Sequence, residues 1–197
     1  MDKRMETLNY GEMPTPPKGR GTGNRPDPLA GLAIIVDTRE QTPLVFPDGV
    51  KVERATLHTG DYSIKGFEDR FTIERKSATD LVGTLTRGRE RFTRELERMG
   101  AFEFRRIIVE RPYADIAAGR FGFISMANPK AIIGTIHAFE VRYNVSFVFA
   151  ANRGEAARRV LGWCRAFARE QAKIDEERRK RQAAILATPP PSPYEVD

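Results

Sequence analysis

Cysteine occurs once in this 197-residue chain, at Cys164, so neither an intrachain disulfide nor a cysteine-built zinc cluster can form. That usage fits a reducing, intracellular setting, cytoplasmic for a prokaryotic or viral source and nuclear for a eukaryotic one. Histidine occurs twice, at His58 and His137, and neither belongs to a metal-ligand motif. No run is long and apolar enough to span a bilayer, and no secretory signal opens the chain. Membrane-spanning helices, disulfide scaffolds and cysteine-built zinc clusters are therefore not expected. What is abundant is basic charge. Thirty-three Lys and Arg against 27 Asp and Glu give a net charge of +6, which favours a polyanionic partner. At 40% apolar residues the chain holds enough for one core.

Met1 to Pro28 is rich in Gly, Pro and polar residues without a period and reads as a flexible arm over 1–28. The folded unit is expected over 29–175. Residues 176–197 read as a charged helix end, with Arg178-Arg179-Lys180-Arg181 solvated, followed by a disordered Pro-rich tail. Between the arms the order of elements is that of an α/β protein. Strands are expected to end at Val36, to cover about Lys51–Leu57, Asp61–Ile64 and Phe71–Lys76, and to follow at Arg106–Glu110 and Val145–Ala150. Helices are expected over Ala78–Leu85, over Arg89–Met99 with Gly100 as the stop, shortly after Pro112, and from Pro129 to about Tyr143. A long helix begins near Arg153, with Ala157, Val160, Leu161, Cys164, Phe167, Ala168 and Ile174 at helical spacing. Trp163, Phe167, Phe139 and His137 are expected to pack.

The chemistry gathers in a short stretch. Along Phe71–Lys76, alternation places Glu74 and Lys76 on one face and Phe71 and Ile73 on the other. Asp61 precedes this strand across a turn at Lys65–Asp69, so paired arms would bring Asp61 close to Glu74. Two carboxylates repel each other in a pocket, and a divalent cation removes the conflict. Mg²⁺ is usually held by one or two protein carboxylates together with water and substrate phosphate. A lysine alongside can orient the attacking water or offset charge in the transition state. Asp61, Glu74 and Lys76 suit that set, with the Arg75 carbonyl as a further oxygen. A surface hairpin with Glu and Lys on its wet face is the alternative for this fragment taken alone. Upstream, the apolar run Leu32–Val36 ends at once in Asp37-Thr38-Arg39-Glu40. In open α/β sheets functional groups gather at the carboxyl ends of such strands, so Asp37 and Glu40 are expected to face the same site.

Val36-Asp37-Thr38-Arg39-Glu40, then Gly60-Asp61-Tyr62, then Glu74-Arg75-Lys76 and Asp80, resembles the nuclease domain of the XPF family. The likeness continues through Asp80–Leu85, Gly88-Arg89 and Ile107–Glu110, covering roughly Leu32 to Phe149. The resemblance implies a restriction-endonuclease-like three-layer fold with a central mixed sheet flanked by helices. It implies a structure-specific DNA endonuclease using Mg, with Mn as substitute, on branched, flap or junction DNA in repair or recombination. Asp61 and Glu74 would be metal ligands and Lys76 the catalytic lysine. Asp37 would be the further ligand, and Glu40 would complete the acidic cluster. Arg39 and Arg75 match motif positions with structural or phosphate-contacting roles, Arg75 having a buried ion pair as its alternative. Subunits of that family also include inactive nuclease-fold DNA-binding partners, and this is the second reading; intact Asp61, Glu74 and Lys76 oppose it.

Asp80 has a local explanation. Ser77-Ala78-Thr79-Asp80 has the form of a capping box, which assigns Asp80 to helix support. Arg87, Arg89 and Arg91 follow closely and are candidates for phosphate contact, Arg89 first because it falls on the family's Gly-Arg position. For Arg91 and Arg94 the alternative is a helix face balanced by Glu90, Glu95 and Glu97. His58, just before Gly60, is either a strand-end residue or part of the site wall. Neither helix-hairpin-helix repeats nor helicase motifs are legible, so a minimal nuclease domain with arms is expected. Homodimer or heterodimer pairing would use its last helices.

Overall fold

The computed structural model describes residues 31–123 and 125–187, so the expected arm over 1–28 and the tail beyond Ala187 lie outside the described residues. Six strands, β1 (Ala33–Asp37), β2 (Lys51–Ala55), β3 (Tyr62–Ile64), β4 (Phe71–Lys76), β5 (Phe104–Val109) and β6 (Ser146–Phe149), form one sheet in the order β2-β1-β3-β4-β5-β6. The helices are α1 (Ala78–Leu85), α2 (Arg89–Met99), α3 (Tyr113–Ala117), α4 (Pro129–Tyr143) and α5 (Arg153–Ala187). The expected α/β architecture with a mixed central sheet flanked by helices is what is found. Strand ends shift by one to two residues, as frayed ends commonly do.

Strand direction positions the site. β1 pairs parallel with β2 and antiparallel with β3, β3 antiparallel with β4, and β4, β5 and β6 run parallel. The carboxyl ends of five strands therefore share one edge of the sheet, and β3, running the other way, starts there. Asp37 at the end of β1, Asp61 just ahead of β3, and Glu74 and Lys76 at the end of β4 are brought to that edge by topology alone.

The two faces of β4 enter two cores. Phe71 and Ile73 pack with Ile34, Val36 and Ile108 beneath Val160, Leu161 and Cys164 of α5. On the other face Leu81, Phe92, Leu96, Ile136 and Phe139 from α1, α2 and α4 cover Ile107 and Val109. Each such side chain contributes about 1.5–3 kcal/mol when fully buried. Phe71 stacks on Phe104 at a ring separation of 4.7 Å and meets Phe167 edge-on, so Phe167 packs as expected, as does Phe139. His137 does not: it sits on the exposed side of α4. Ile174 is 40% exposed, because the sheet ends before α5 does. Gln171 is the last buried residue of α5, and the helix continues past residue 175 to Ala187 without a break. Among the described residues no helix is long and apolar enough to cross a membrane.

Candidate active site

A small polar cleft of about 130 Å³ opens at the shared edge, lined by Asp37, Arg39, His58, Thr59, Gly60, Asp61, Glu74, Glu95 and Arg98. Its floor is zipped together by backbone hydrogen bonds. The Asp37 amide donates to the Asp61 carbonyl, and the Asp61 amide donates to the Ile73 carbonyl, each at 2.8 Å. Gly60 makes this approach feasible. Its φ is +79°, a conformation that costs an L-residue, and a Cβ there would collide with Thr72 Oγ1 and lie 3.1 Å from the Ile73 carbonyl oxygen. We expect Gly60→Ala to lower stability by roughly 2–4 kcal/mol. Adding Thr72→Ala should recover part of that loss, because the hydroxyl is the nearest obstacle. Urea unfolding of both variants checks this, and a loss under about 0.5 kcal/mol for Gly60→Ala would contradict it.

Asp61 and Glu74 face this cleft from β3 and β4. The Asp61 Oδ2 accepts from the Arg75 amide at 2.7 Å. Burial first, and the neighbouring Glu74 charge second, push the Asp61 carboxyl up to about 7 despite that hydrogen bond. Glu74 is also raised, by burial first of all and further by Glu95, against the pull of Lys76. The Lys76 ammonium is in contact with Glu74 Oε1, is 12% exposed, and lies 5.0 Å from the centre of the Phe92 ring. Burial opposes its charge, but Glu74 and then Glu95 outweigh burial and raise it. The cleft thus holds more carboxylate than its one ammonium neutralises.

Asp37 reaches the cleft with its oxygens already engaged. Oδ1 accepts from the Arg39 amide at 2.8 Å and from Arg39 Nε at 2.7 Å; Oδ2 accepts from Arg39 Nη2 at 3.1 Å and from the Leu57 amide at 2.7 Å. Burial pushes its carboxyl up, but these bonds prevail and hold it below the usual carboxylate range. In this state it ties β1 to the segment after β2 rather than presenting a bare ligand.

Glu40 does not join the cluster. The residues of β4 alternate, so Arg75 emerges on the face opposite Glu74, and Glu40 follows it there. Arg75 Nε pairs with Glu40 Oε2 at 3.0 Å, and Arg75 Nη1 with Glu110 Oε2 at 3.0 Å. All three side chains are 7–8% exposed. The turn at 38–42, closed by the Thr42 amide on Glu40 Oε1 at 2.7 Å, aims the acid backward. Arg153 completes the group, reaching Glu110 at 3.2 Å and the carbonyls of Thr42 and Pro43.

Asp80 sits outside the cleft lining. Ser77 is the N-cap of α1: its hydroxyl donates to Asp80 Oδ2 at 2.6 Å and accepts from the Asp80 amide at 3.1 Å. Asp80→Ala is expected to cost about 0.5–2 kcal/mol of stability and to leave any activity per folded molecule nearly intact. Complete loss of activity at unchanged melting temperature would move Asp80 into the catalytic set. Arg87, Arg89 and Arg91 are exposed and lie outside the cleft lining too. The Arg89 guanidinium stands 5.4 Å from the centre of the Phe139 ring, and Arg94 pairs with Glu90 at 2.7 Å. The arginines of the cleft wall are instead Arg39 and Arg98. His58, exposed, is also part of the wall and leads into an adjoining apolar pocket of about 610 Å³ bounded by Leu57, Ala101 and Phe102.

Glu95 is the cleft residue that sequence reasoning placed elsewhere, as a partner for the basic residues of its own helix. The available signal was its position three residues after Phe92, on the side of α2 turned to the sheet. Among the described residues no three Asp, Glu, His or Cys side chains already converge on a point suited to a metal ion. With Asp37 engaged, Asp61, Glu74 and Glu95 line the cleft, enough for Mg²⁺, which ordinarily takes one or two carboxylates from protein when water and phosphate supply the rest.

The ERCC4 domain family model matches residues 36–161. Among solved structures the chain is similar to XPF from Aeropyrum pernix, with 22% identity, a TM-score of 0.53, and coverage of 78% of this chain and 72% of that one. It is also similar to XPF from Aeropyrum pernix in complex with DNA, with 24% identity, a TM-score of 0.52, and coverage of 72% and 66%. At those identities the likeness to the solved structures is one of fold. A comparison with curated protein sequences returned no match.

Proposed function

The chain belongs to the ERCC4-domain family, and from that premise we propose that it is a divalent-metal-dependent DNA endonuclease hydrolysing phosphodiester bonds at branched, flap or junction structures. The observation that carries this reading is the charge crowding in the cleft: Asp61 and Glu74, both raised by burial and by neighbouring acids, with Lys76 buried at their side. Folding tolerates such an arrangement at a cost, and a cation relieves it. The donors are hard oxygens, which suits Mg²⁺ or, in its place, Mn²⁺. Asp61 and Glu74 would hold it, with the Arg75 carbonyl and Asp37 at the margin. When bound it would supply positive charge to the phosphate oxygens and acidity to the attacking water.

The chain's own residues do the rest. Lys76 places an ammonium where negative charge builds during attack. The outer arginines Arg89, Arg87 and Arg91, with Arg39 and Arg98 at the rim, hold the phosphate backbone, an affinity term that falls with salt. A similar structure solved in complex with DNA supports DNA as the partner. The exposed length of α5 offers a surface for subunit pairing. The test is incubation of folded protein with labelled flap, fork and linear duplex DNA, with Mg²⁺, with Mn²⁺ and with chelator. Cleavage that requires metal is expected, and absence of metal-dependent cutting on every substrate overturns the reading.

The raised carboxyls set a pH dependence. An acid whose folded pKa exceeds its unfolded value binds more protons in the native state between the two values. Stability is then lost as pH rises through that window, here from the ordinary carboxylate value near 4 to about 7 for Asp61. In chelator the melting temperature is expected to fall from pH 5 to pH 8, and saturating Mg²⁺ should reverse most of the fall. Thermal scans across that range decide it; a rise with pH in chelator would contradict the assignment.

A further inference from the structure

Resting on the metal-dependent reading, we propose that Glu95 is a positioning residue: it holds the Lys76 ammonium in place when the Glu74 carboxylate turns to a divalent cation. Three observations place it there. Glu95 and Glu74 line the same cleft, one from α2 and one from β4. Phe92, one helical turn before Glu95 on the same side of α2, forms the apolar wall beside the Lys76 ammonium. Glu95 also belongs to the electrostatic surroundings of Arg39, Glu74 and Lys76 together.

The need for such a residue follows from the resting contacts. Lys76 is nearly buried and its ammonium is in contact with Glu74 Oε1. A cation held by Glu74 competes for that charge and repels the ammonium. An ammonium deprived of its counter-charge in so buried a place would move toward solvent. Glu95 is the second carboxylate within its surroundings. Among the described residues Glu95 forms no ion pair with Arg91 or Arg98, although Glu90 on the same helix is bridged to Arg94. Its charge is therefore left for the cleft.

The experiment uses full-length protein, wild type and Glu95→Gln, with the lysine side chains labelled with ¹⁵N. The Lys76 ammonium resonance is assigned by its loss in Lys76→Ala. In the wild type that resonance is expected to persist and shift on addition of Mg²⁺. In Glu95→Gln it should persist without metal and be lost to exchange with metal present. Mn²⁺ affinity, followed by the paramagnetic signal of the free ion, should stay within about threefold of wild type, because Glu95 is not a ligand. Single-turnover cleavage at saturating metal should fall at least tenfold in Glu95→Gln, and adding Lys76→Ala should lower it little further. A tenfold loss of Mn²⁺ affinity, an unchanged resonance in metal-bound Glu95→Gln, or additive effects of the two substitutions would each overturn the proposal and leave the nuclease reading standing. Failure of the wild type to bind either metal would overturn both.

Discussion

Asp61→Asn is expected to reduce metal-dependent cleavage by at least about a hundredfold while making the metal-free protein more stable above neutral pH. The two effects have one cause. The carboxylate is buried, faces Glu74, and is pushed up to about 7, so its ionisation opposes folding. The amide keeps the shape and can still accept from the Arg75 N–H, but carries no charge to repel its neighbour and none to hold a cation. DNA affinity in chelator should stay close to wild type, because the arginines on the rim are untouched. Glu74→Gln should lose cleavage to a similar degree, but without the same gain in stability, because Lys76 loses its contact partner. The measurements are single-turnover cleavage, DNA binding and thermal unfolding at pH 8. An Asp61→Asn protein that is folded and cuts at the wild-type rate would remove Asp61 from the site.

The largest loss of stability is expected from Arg75→Ala. The guanidinium lies between Glu40 and Glu110, with every member of the trio less than a tenth exposed. Its removal leaves the buried Glu40 without counter-charge and Glu110 with only the half-exposed Arg153. Breaking a buried pair in this way costs about 3–5 kcal/mol, against a total of about 5–15 kcal/mol for an ordinary domain. Arg75→Lys should recover only part of it. A lysine has one charged centre and cannot donate at once to Glu40, Glu110 and the Thr42 hydroxyl, which Arg75 Nη2 reaches at 2.8 Å. Replacing both acids by Gln in the Arg75→Ala background should recover more than the lysine does. Urea unfolding of the series tests this. A cost under about 1 kcal/mol would mean that water reaches the trio and that the ion pair behaves as a surface one.

Much of this arrangement was legible before any coordinates, for a simple reason. Period-two alternation along six residues is a strong constraint, and it alone sends Glu74 and Lys76 to one side and Arg75 to the other. The apolar run ending at Asp37 gave a buried strand and its carboxyl end. Ser77 and Asp80, three apart, gave a cap. What was not legible depends on turns and on packing between distant elements. Glu40 lies three residues past a strand end, and one tight turn decides which face of the sheet it meets. Asp37 is saturated by an arginine two residues away, a side-chain geometry that spacing does not reveal. Glu95 joins the cleft because α2 lies across the end of β4; its place three residues after Phe92 turns it to the sheet, but helical spacing alone does not say what it meets there. Ile174 keeps helical spacing after the sheet beneath it has ended.

The ion group behind β4 has a mechanical side. Arg153 is the first residue of α5, and its guanidinium grips Glu110 together with the carbonyls of Thr42 and Pro43. A helix of 35 residues is about 52 Å long, and the stretch after Gln171, its last buried residue, accounts for roughly 24 Å of it. Such a rod is stiff over its length. Arg75 joins the root of this helix to the cleft: its guanidinium meets Glu110, which Arg153 grips, and its backbone amide holds the Asp61 carboxylate. The root of the long helix and the cleft are thus tied to one residue of the fourth strand, one through its guanidinium and the other through its backbone.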